Sequence, residues 1–406
     1  MHFFATCAKG TEGALRRELA ALRLRGVRGD RGGVWFEGNL EAGMRACLHT
    51  RVAMRVVLQL ASFAASDATS LYDGVRTVDW NEWLTARTTL AVESTVRDSA
   101  LTHSGYVSLK VKDAVVDALR DRLGARPDVD PKDPDVRIVL HLAQDRADLA
   151  LDLAGEPLHR RGYRGVATAA PIKETLAAAV LSLGHVDPLR PFVDPMCGSG
   201  TLAIEHALAA RRTAPGLGRS FGFQRWPTYR GRLQSAWDRM KEEARRAMLP
   251  AVPAPIVARD LFVKALDVAR RNAAAAGVAG DIRFEAGDVR ALAPDPGLPA
   301  GTICTNPPYG ERLMGRGEER ARNGERPRRA GSKGERAGSG DDRVARLKLQ
   351  GLYRGMAEAL SAFHGWTAVL LSGSPLLEQE MRSRPEVSHR LWNGPLEVKL
   401  LRYRIR

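Results

Sequence analysis

The chain has little cysteine, no long apolar run and fewer carboxylates than basic groups. Its four cysteines in 406 residues are Cys7, Cys47, Cys197 and Cys304. They form no CxxC pair and have no histidine-rich surroundings, so neither a zinc centre nor a disulfide framework is expected and no metal is invoked. A reduced, cytoplasmic compartment fits that usage. No stretch approaches about 18 consecutive apolar residues. The start, Met1-His2-Phe3-Phe4-Ala5-Thr6-Cys7, lacks a basic region followed by a long apolar one. Neither a membrane span nor an export signal is expected. The 47 carboxylates face 62 Lys and Arg, a formal charge of +15, with a pI near 10.1. A polyanion is the expected partner, nucleic acid foremost, against the competing reading of an arginine-rich surface with no such partner.

What is present is enough apolar residue, 44%, to fill the cores of two or three domains. Residues 3 to 5 read as a strand, 13 to 24 as a helix with Leu15, Leu19 and Leu22 at helical spacing, and 34 to 38 as a second strand. This is a small βαβ-like unit. Further strands are expected at 52 to 60 and 90 to 96. A helix at 110 to 123 sets Val111, Val115, Leu119 and Leu123 on one face and Lys110, Lys112, Arg120 and Arg122 on another. Residues 136 to 142 and 147 to 153 pair as a hairpin. The following run, Leu158-His159-Arg160-Arg161-Gly162-Tyr163-Arg164, has the basic and aromatic character to hold phosphate and stack a base, although a solvated linker would look the same.

From Pro171 the pattern alternates strands (191 to 194, 255 to 259, 281 to 285, 301 to 305, 367 to 372) with helices (172 to 183, 201 to 211, 263 to 276, 344 to 362). That alternation marks a parallel α/β sheet. Residues 388 to 392 and 396 to 405, joined at Asn393-Gly394, form a terminal hairpin. An antiparallel end on a parallel sheet argues for a methyltransferase fold and against a nicotinamide enzyme. Residues 315 to 342 hold hardly any apolar side chain and read as a mobile insertion.

Two motifs carry the chemistry. In Phe192-Val193-Asp194-Pro195-Met196-Cys197-Gly198-Ser199-Gly200-Thr201 a buried strand runs through a glycine turn into a helix, the cradle of an adenosine-bearing cofactor. Gly198 and Gly200 permit close approach of backbone to ligand. No phosphate-binding lysine follows, which favours S-adenosylmethionine over a nucleoside triphosphate. Asp260 and Asp288 end the next two strands, placed to accept the ribose hydroxyls and the adenine amino group; helix capping is the competing reading of each. The second motif is Thr305-Asn306-Pro307-Pro308-Tyr309-Gly310. The Asn306 side-chain oxygen and the Pro307 carbonyl can each accept one proton of an exocyclic amino group, which turns the nitrogen lone pair toward a methyl donor. Pro308 stiffens the loop, and Tyr309 offers a ring face to an extruded base.

These motifs, with Thr11-Glu12-Gly13, Gly32-Gly33-Val34, Lys110-Val111-Lys112-Asp113-Ala114, the 158 to 164 run, Ala170-Pro171-Ile172-Lys173-Glu174-Thr175-Leu176-Ala177 and Asn393-Gly394-Pro395-Leu396, resemble the large-subunit ribosomal RNA methyltransferase L family over nearly the whole chain. The resemblance implies a ferredoxin-like subdomain (1–43), a THUMP RNA-binding domain (44–155), a linker (156–170) and a Rossmann-like methyltransferase domain (171–406). It implies S-adenosylmethionine-dependent methylation of N2 of a guanine in 23S rRNA or its precursor, of the guanine-2445 type. It also implies Glu174 and Met196 at the cofactor, with Asn306 touching both cofactor and base. Lys110, Lys112, Arg160, Arg161, Tyr163 and Arg164 are the expected RNA contacts. Two departures stand out. The chain stops at Arg406, without the second methyltransferase domain of some members, so a single activity is expected. Phe262 stands where the family tends to carry a second acidic residue, leaving Asp260 alone at the ribose.

Other classes share these features. Asn-Pro-Pro-Tyr selects an amino group and not a base, so a tRNA guanine-N2 enzyme of the THUMP group or a DNA adenine-N6 methyltransferase would carry it too. A non-catalytic RNA-binding assembly factor would have no need of an intact Asp194, Gly198, Gly200 and Asn306.

Overall fold

The computed structural model describes residues 1–165, 172–309 and 339–406, with the side chains of 339–342 excepted. In chain order the elements begin β1 (His2–Thr6), α1 (Glu12–Ala21), β2 (Arg25–Asp30), β3 (Gly33–Glu37), α2 (Leu40–His49), β4 (Arg55–Ala64), α3 (Ala68–Arg76), β5 (Thr89–Arg97), α4 (Ser104–Leu123), β6 (Asp128–Val129), β7 (Val136–Ala143) and β8 (Arg146–Asp152). They continue with α5 (Glu174–Leu183), β9 (Phe192–Asp194), α6 (Thr201–Ala210), α7 (Arg232–Arg246), β10 (Ile256–Asp260), α8 (Val263–Ala275), β11 (Ile282–Ala286) and β12 (Thr302–Thr305). After the undescribed segment come α9 (Ser339–Ser361), β13 (Thr367–Ser372), α10 (Pro375–Glu380), β14 (Val387–Asn393) and β15 (Leu396–Arg404). Among the described residues no helix is long and apolar enough to cross a membrane.

Two units divide the chain: Met1–Arg161 with Ala214–Met248, and Gly162–Thr213 with Leu249–Arg406. The first is built on an eight-stranded sheet in the order β2-β3-β1-β4-β8-β7-β5-β6. Its opening segment is not the expected βαβ crossover. β3 pairs antiparallel with both β1 and β2, because the turn at Arg31 and Gly32 (φ +76°) folds β3 straight back on β2. β4 pairs with β1 and with β8, so the sheet runs without a break across residue 43, where the first domain boundary is expected. The long helix α4 starts six residues before its expected position. His103 caps it by accepting from the Tyr106 N–H at 3.1 Å, and Gly124 in the left-handed conformation ends it.

The expected methyltransferase domain, 171–406, is interrupted by Ala214–Met248, which packs in the first unit. Trp237 of α7 stands edge-on to Phe221 and Phe223 at 5.3 and 5.1 Å, and Trp226 edge-on to Trp83 at 5.5 Å. The Gly216 N–H donates to the Leu48 carbonyl at 2.9 Å. Trp237, Met240 and Ala244 of α7, all buried, have the three-to-four spacing of an apolar stripe, a helix signal legible in the sequence.

The second unit holds a seven-stranded sheet in the order β11-β10-β9-β12-β13-β15-β14. Neighbours are parallel from β11 to β13, and the terminal hairpin is antiparallel, with β15 inserted between β13 and β14. Successive strands run outward from β9 in both directions, so the edge between β9, β10 and β12 is a topological switch point where such sheets bind ligands. α5 and α6 are alanine-rich and buried on nearly every side, as helices pressed between layers must be. A core of Val193, Ile303, Tyr353, Phe363, Trp366 and Leu370 fills the other side of the sheet. α9 begins at Ser339, inside the expected 315–342 insertion; residues 315–338 of that insertion lie outside the described residues.

Candidate functional site

β9 ends in Asp194, which is buried and accepts from the Met196 N–H at 3.3 Å. Burial pushes its carboxyl up to about 7, and the charge of neighbouring Asp260 adds to the shift. Asp260, at the end of β10, accepts from the Gly198 N–H through Oδ2 and from the Phe262 N–H through Oδ1, both at 2.9 Å. The carboxylate therefore fixes the glycine turn and the start of α8 while remaining on the wall of a cleft. The two glycines have separate duties. Gly198 sits at φ +53° with nothing within 4 Å of where a Cβ would be. Gly200, at φ +82°, lies where a Cβ would come within 3.0 Å of the Cβ of Ala269 on α8. One faces open space; the other seats two helices.

The cleft measures about 600 Å³ and brings together Met196, Asp260, Asp288, Asn306 and Pro308. Phe262 lines it too and is 67% exposed. Asp288 does cap a helical turn, accepting from the Arg290 N–H at 2.9 Å. The Arg290 guanidinium also grips it, with Nε 3.0 Å from Oδ1 and 2.9 Å from Oδ2. That pair holds the Asp288 carboxyl below its usual range. Sequence reasoning missed Arg290 and the opposite wall, where α9 contributes Lys348, Gly351 and Leu352. Gly355 on α9 makes room for the Arg290 side chain, since a Cβ there would lie 2.7 Å from Arg290 Cγ. The signal was available as Lys348, Gly351 and Gly355 on one helical stripe.

Asn306 follows β12 directly. Its Oδ1 is buried and has no hydrogen-bond partner among the described residues, an arrangement native proteins rarely leave without a purpose. The Pro308 carbonyl is already taken by the Tyr353 hydroxyl at 2.8 Å. The Tyr309 ring lies against Gly373, where a Cβ would come within 2.5 Å of it, and its hydroxyl accepts from Asn393 Nδ2 at 3.1 Å. Tyr309 is thus held by β13 and the terminal hairpin.

The run 158 to 164 is placed differently from its expected solvent-facing role. Tyr163 is buried and donates to Glu205 Oε1 on α6 at 3.1 Å. Arg164 lies 3.3 Å from Glu174 Oε1, donates to Thr201 Oγ1 at 2.7 Å, and reaches the Ile172 carbonyl. Arg161 donates to the carbonyls of Leu158 and Arg51 at 2.8 and 2.6 Å. These three tie the chain together, because a guanidinium or phenol withdrawn from water must find protein partners. Only Arg160 of the group stays exposed, paired with Glu156. Glu174, 3% exposed, is bound to Arg164 and does not line the cleft. On α4, Lys110 lies 4.7 Å above the Tyr72 ring and Lys112 lies 2.9 Å from Asp113.

Three family descriptions match the chain: an RlmL ferredoxin-like domain over residues 2–57, a THUMP domain over 65–152, and an RMKL-like methyltransferase domain over 161–321. Proteins named ribosomal RNA large subunit methyltransferase K/L are similar, that of Syntrophotalea carbinolica with 41% identity and that of Aeromonas hydrophila with 39%. Each match covers 99% of this chain, and 53% and 54% of those relatives; the chain spans about half the length of the curated relatives it matches. Among solved structures, SMU.472, a putative methyltransferase complexed with SAH, matches with a TM-score of 0.85 and 27% identity over 100% of this chain and 98% of that one. A possible methylase from Clostridium difficile 630 does so with 0.85, 26%, 100% and 98%.

Proposed function

We propose that the chain, whose successive regions match RlmL ferredoxin-like, THUMP and RMKL-like methyltransferase descriptions, is an RMKL-like enzyme that methylates large-subunit ribosomal RNA at N2 of a guanine. The observation that carries the reading is the buried, unpartnered Asn306 Oδ1 in a cleft that also holds Met196, Asp260 and Asp288.

The donor set fits S-adenosylmethionine. About 600 Å³ is room for a nucleoside with a short tail. Gly198 leaves open space beside the turn, and Asp260 and Asp288 stand at successive strand ends, where ribose and adenine would be held. Asp194, at the end of β9, would serve the methionine end. When bound, the cofactor supplies an electrophilic methyl group. Asn306 Oδ1 accepts a hydrogen bond from one N–H of the guanine amino group, and the Pro307 carbonyl accepts one from the other N–H. No hydrogen bond to that carbonyl occurs among the described residues. The two acceptors direct the nitrogen lone pair at the methyl carbon. Tyr309, held by Gly373 and Asn393, stacks its ring on the flipped base. Lys110 and Lys112 meet RNA phosphate from α4. Mapping methylated guanines by mass spectrometry, after incubating the protein and cofactor with protein-free 23S rRNA or with tRNA, tests the reading. A single N2-methylguanine in 23S rRNA is expected, and methylation confined to tRNA would overturn it.

The acidity of Asp194 yields a further expectation. Because burial raises its folded-state value to about 7, the group is protonated in acid and gains charge as the pH passes neutrality. The ammonium of S-adenosylhomocysteine favours the charged form, so its affinity should rise between about pH 6 and about pH 8 and then level off. Calorimetric titrations at several pH values should show this slope, absent in Asp194→Asn. A slope that persists in the variant would assign it to another group.

A further inference from the structure

In the ferredoxin-like subdomain the strands β1 and β3 lie side by side between β2 and β4. Alternation along them sends aromatic residues to both faces. Phe3 and Phe36 are stacked with centroids 5.0 Å apart and wholly buried. They pack under α2, where a Cβ on Gly43 would lie 2.6 Å from the Phe3 ring. Phe4 and Trp35, directly paired across the same strands, face the other way and remain half-exposed, with centroids 4.8 Å apart. A core needs the first pair. It has no use for the second.

That outer pair is nevertheless held in place. Trp35 Nε1 donates to Asp30 Oδ2 at 2.9 Å, which fixes the indole from the β2–β3 turn. Gly33 makes room for the other ring, since a Cβ there would come within 2.5 Å of Phe4 Cζ. A bulge in β2 sets Arg25 opposite Glu37 and Arg28 opposite Trp35. Three residues of β2 thereby span two of β3, and both arginines fall on the face of Trp35 and Phe4. Without the bulge their odd spacing would put them on opposite faces. Arg25 and Arg28 are exposed and have no ion-pair partner among the described residues. Of the nearby carboxylates, Asp30 accepts from Trp35 and from the Arg31 N–H and feels the charge of Arg28 without a direct ion pair, and Glu37 lies 3.9 Å from His2.

We propose that this face is an additional single-stranded RNA site, with Phe4 and Trp35 stacking unpaired bases and Arg25 and Arg28 holding the flanking phosphates. Two aromatic rings on the central strands of a sheet, flanked by cations on the edge strand, match the chemistry by which sheet platforms bind unpaired RNA. A protein partner would be served by the rings but gives no role to two exposed arginines beside them that make no direct ion pair among the described residues. The proposal rests on RNA being the substrate, but it concerns binding and not methyl transfer.

The test uses the full chain, a labelled ten-nucleotide single-stranded RNA and an RNA duplex of equal length. Phe4→Leu keeps the apolar bulk and should weaken single-strand binding about tenfold, while duplex binding stays unchanged. Phe4→Tyr should restore it. The Arg25→Ala, Arg28→Ala double variant should weaken both probes and lower the salt slope by about 2. S-adenosylhomocysteine affinity, expected to be unaltered, reports that the catalytic unit is intact. Unchanged single-strand binding in Phe4→Leu, or an equal loss on both probes, overturns the proposal. Neither result depends on which RNA is methylated, which the mass-spectrometric mapping decides separately.

Discussion

An Asn306→Ala enzyme should turn over about 100-fold more slowly than the parent, with little change in affinity for S-adenosylhomocysteine, the size of effect expected from losing one preorganised polar group at a reacting centre. The asymmetry follows from the position of Oδ1, which is buried and unpartnered among the described residues. Among the described residues no hydrogen bond to Oδ1 is lost when it is removed, so stability should be nearly unchanged and the loss should appear in the chemical step. Asn306→Asp keeps an acceptor of the same size and should retain more activity than the alanine variant. Tyr309→Ala should also be severely impaired. Tyr309→Phe keeps the ring and forgoes only the bond from Asn393, so it should stay active. Single-turnover methylation of protein-free 23S rRNA measures all four. A fully active Asn306→Ala enzyme would remove this residue from the mechanism, and equal rates for the two Tyr309 variants would remove the stacking face.

Gly198→Val should abolish S-adenosylhomocysteine binding in calorimetry while the circular dichroism spectrum stays that of the parent. Among the described residues a Cβ at this position meets nothing within 4 Å. The left-handed backbone at φ +53° is strained for a β-branched residue, at about 1 to 2 kcal/mol, which is small beside the stability of a domain. In the proposed cofactor site, what the side chain would meet is ligand. Gly200→Ala provides the contrast, because its Cβ would press on Ala269 at 3.0 Å. Its first effect should be on the melting temperature, through separation of α6 from α8. Cofactor affinity equal to the parent's in Gly198→Val would refute the assignment of the turn, whatever its thermal stability.

The strand-and-helix alternation after Pro171, the glycine turn and the place of Asn306 at the end of β12 could all be read from the chain, because each depends on residues close together in sequence. Apolar periodicity reports which face of a local element is buried, and glycines or prolines report which backbone torsions are needed. Even the switch point followed, since consecutive strand ends in a parallel sheet share one edge. The roles of charged and aromatic side chains could not be read this way. Tyr163 and Arg164 have the composition of an RNA contact and are instead bound to Glu205, Thr201 and Glu174. Arg290 fills the grip of Asp288 because Gly355, 65 positions later, leaves space for it. α7 belongs to the first unit although it lies between two strands of the second. Phe4 differs from Phe3 only in the direction its strand turns it. A short segment dictates its own torsions, but which distant group satisfies a buried charge or covers a ring is set by packing, and only the folded chain decides that.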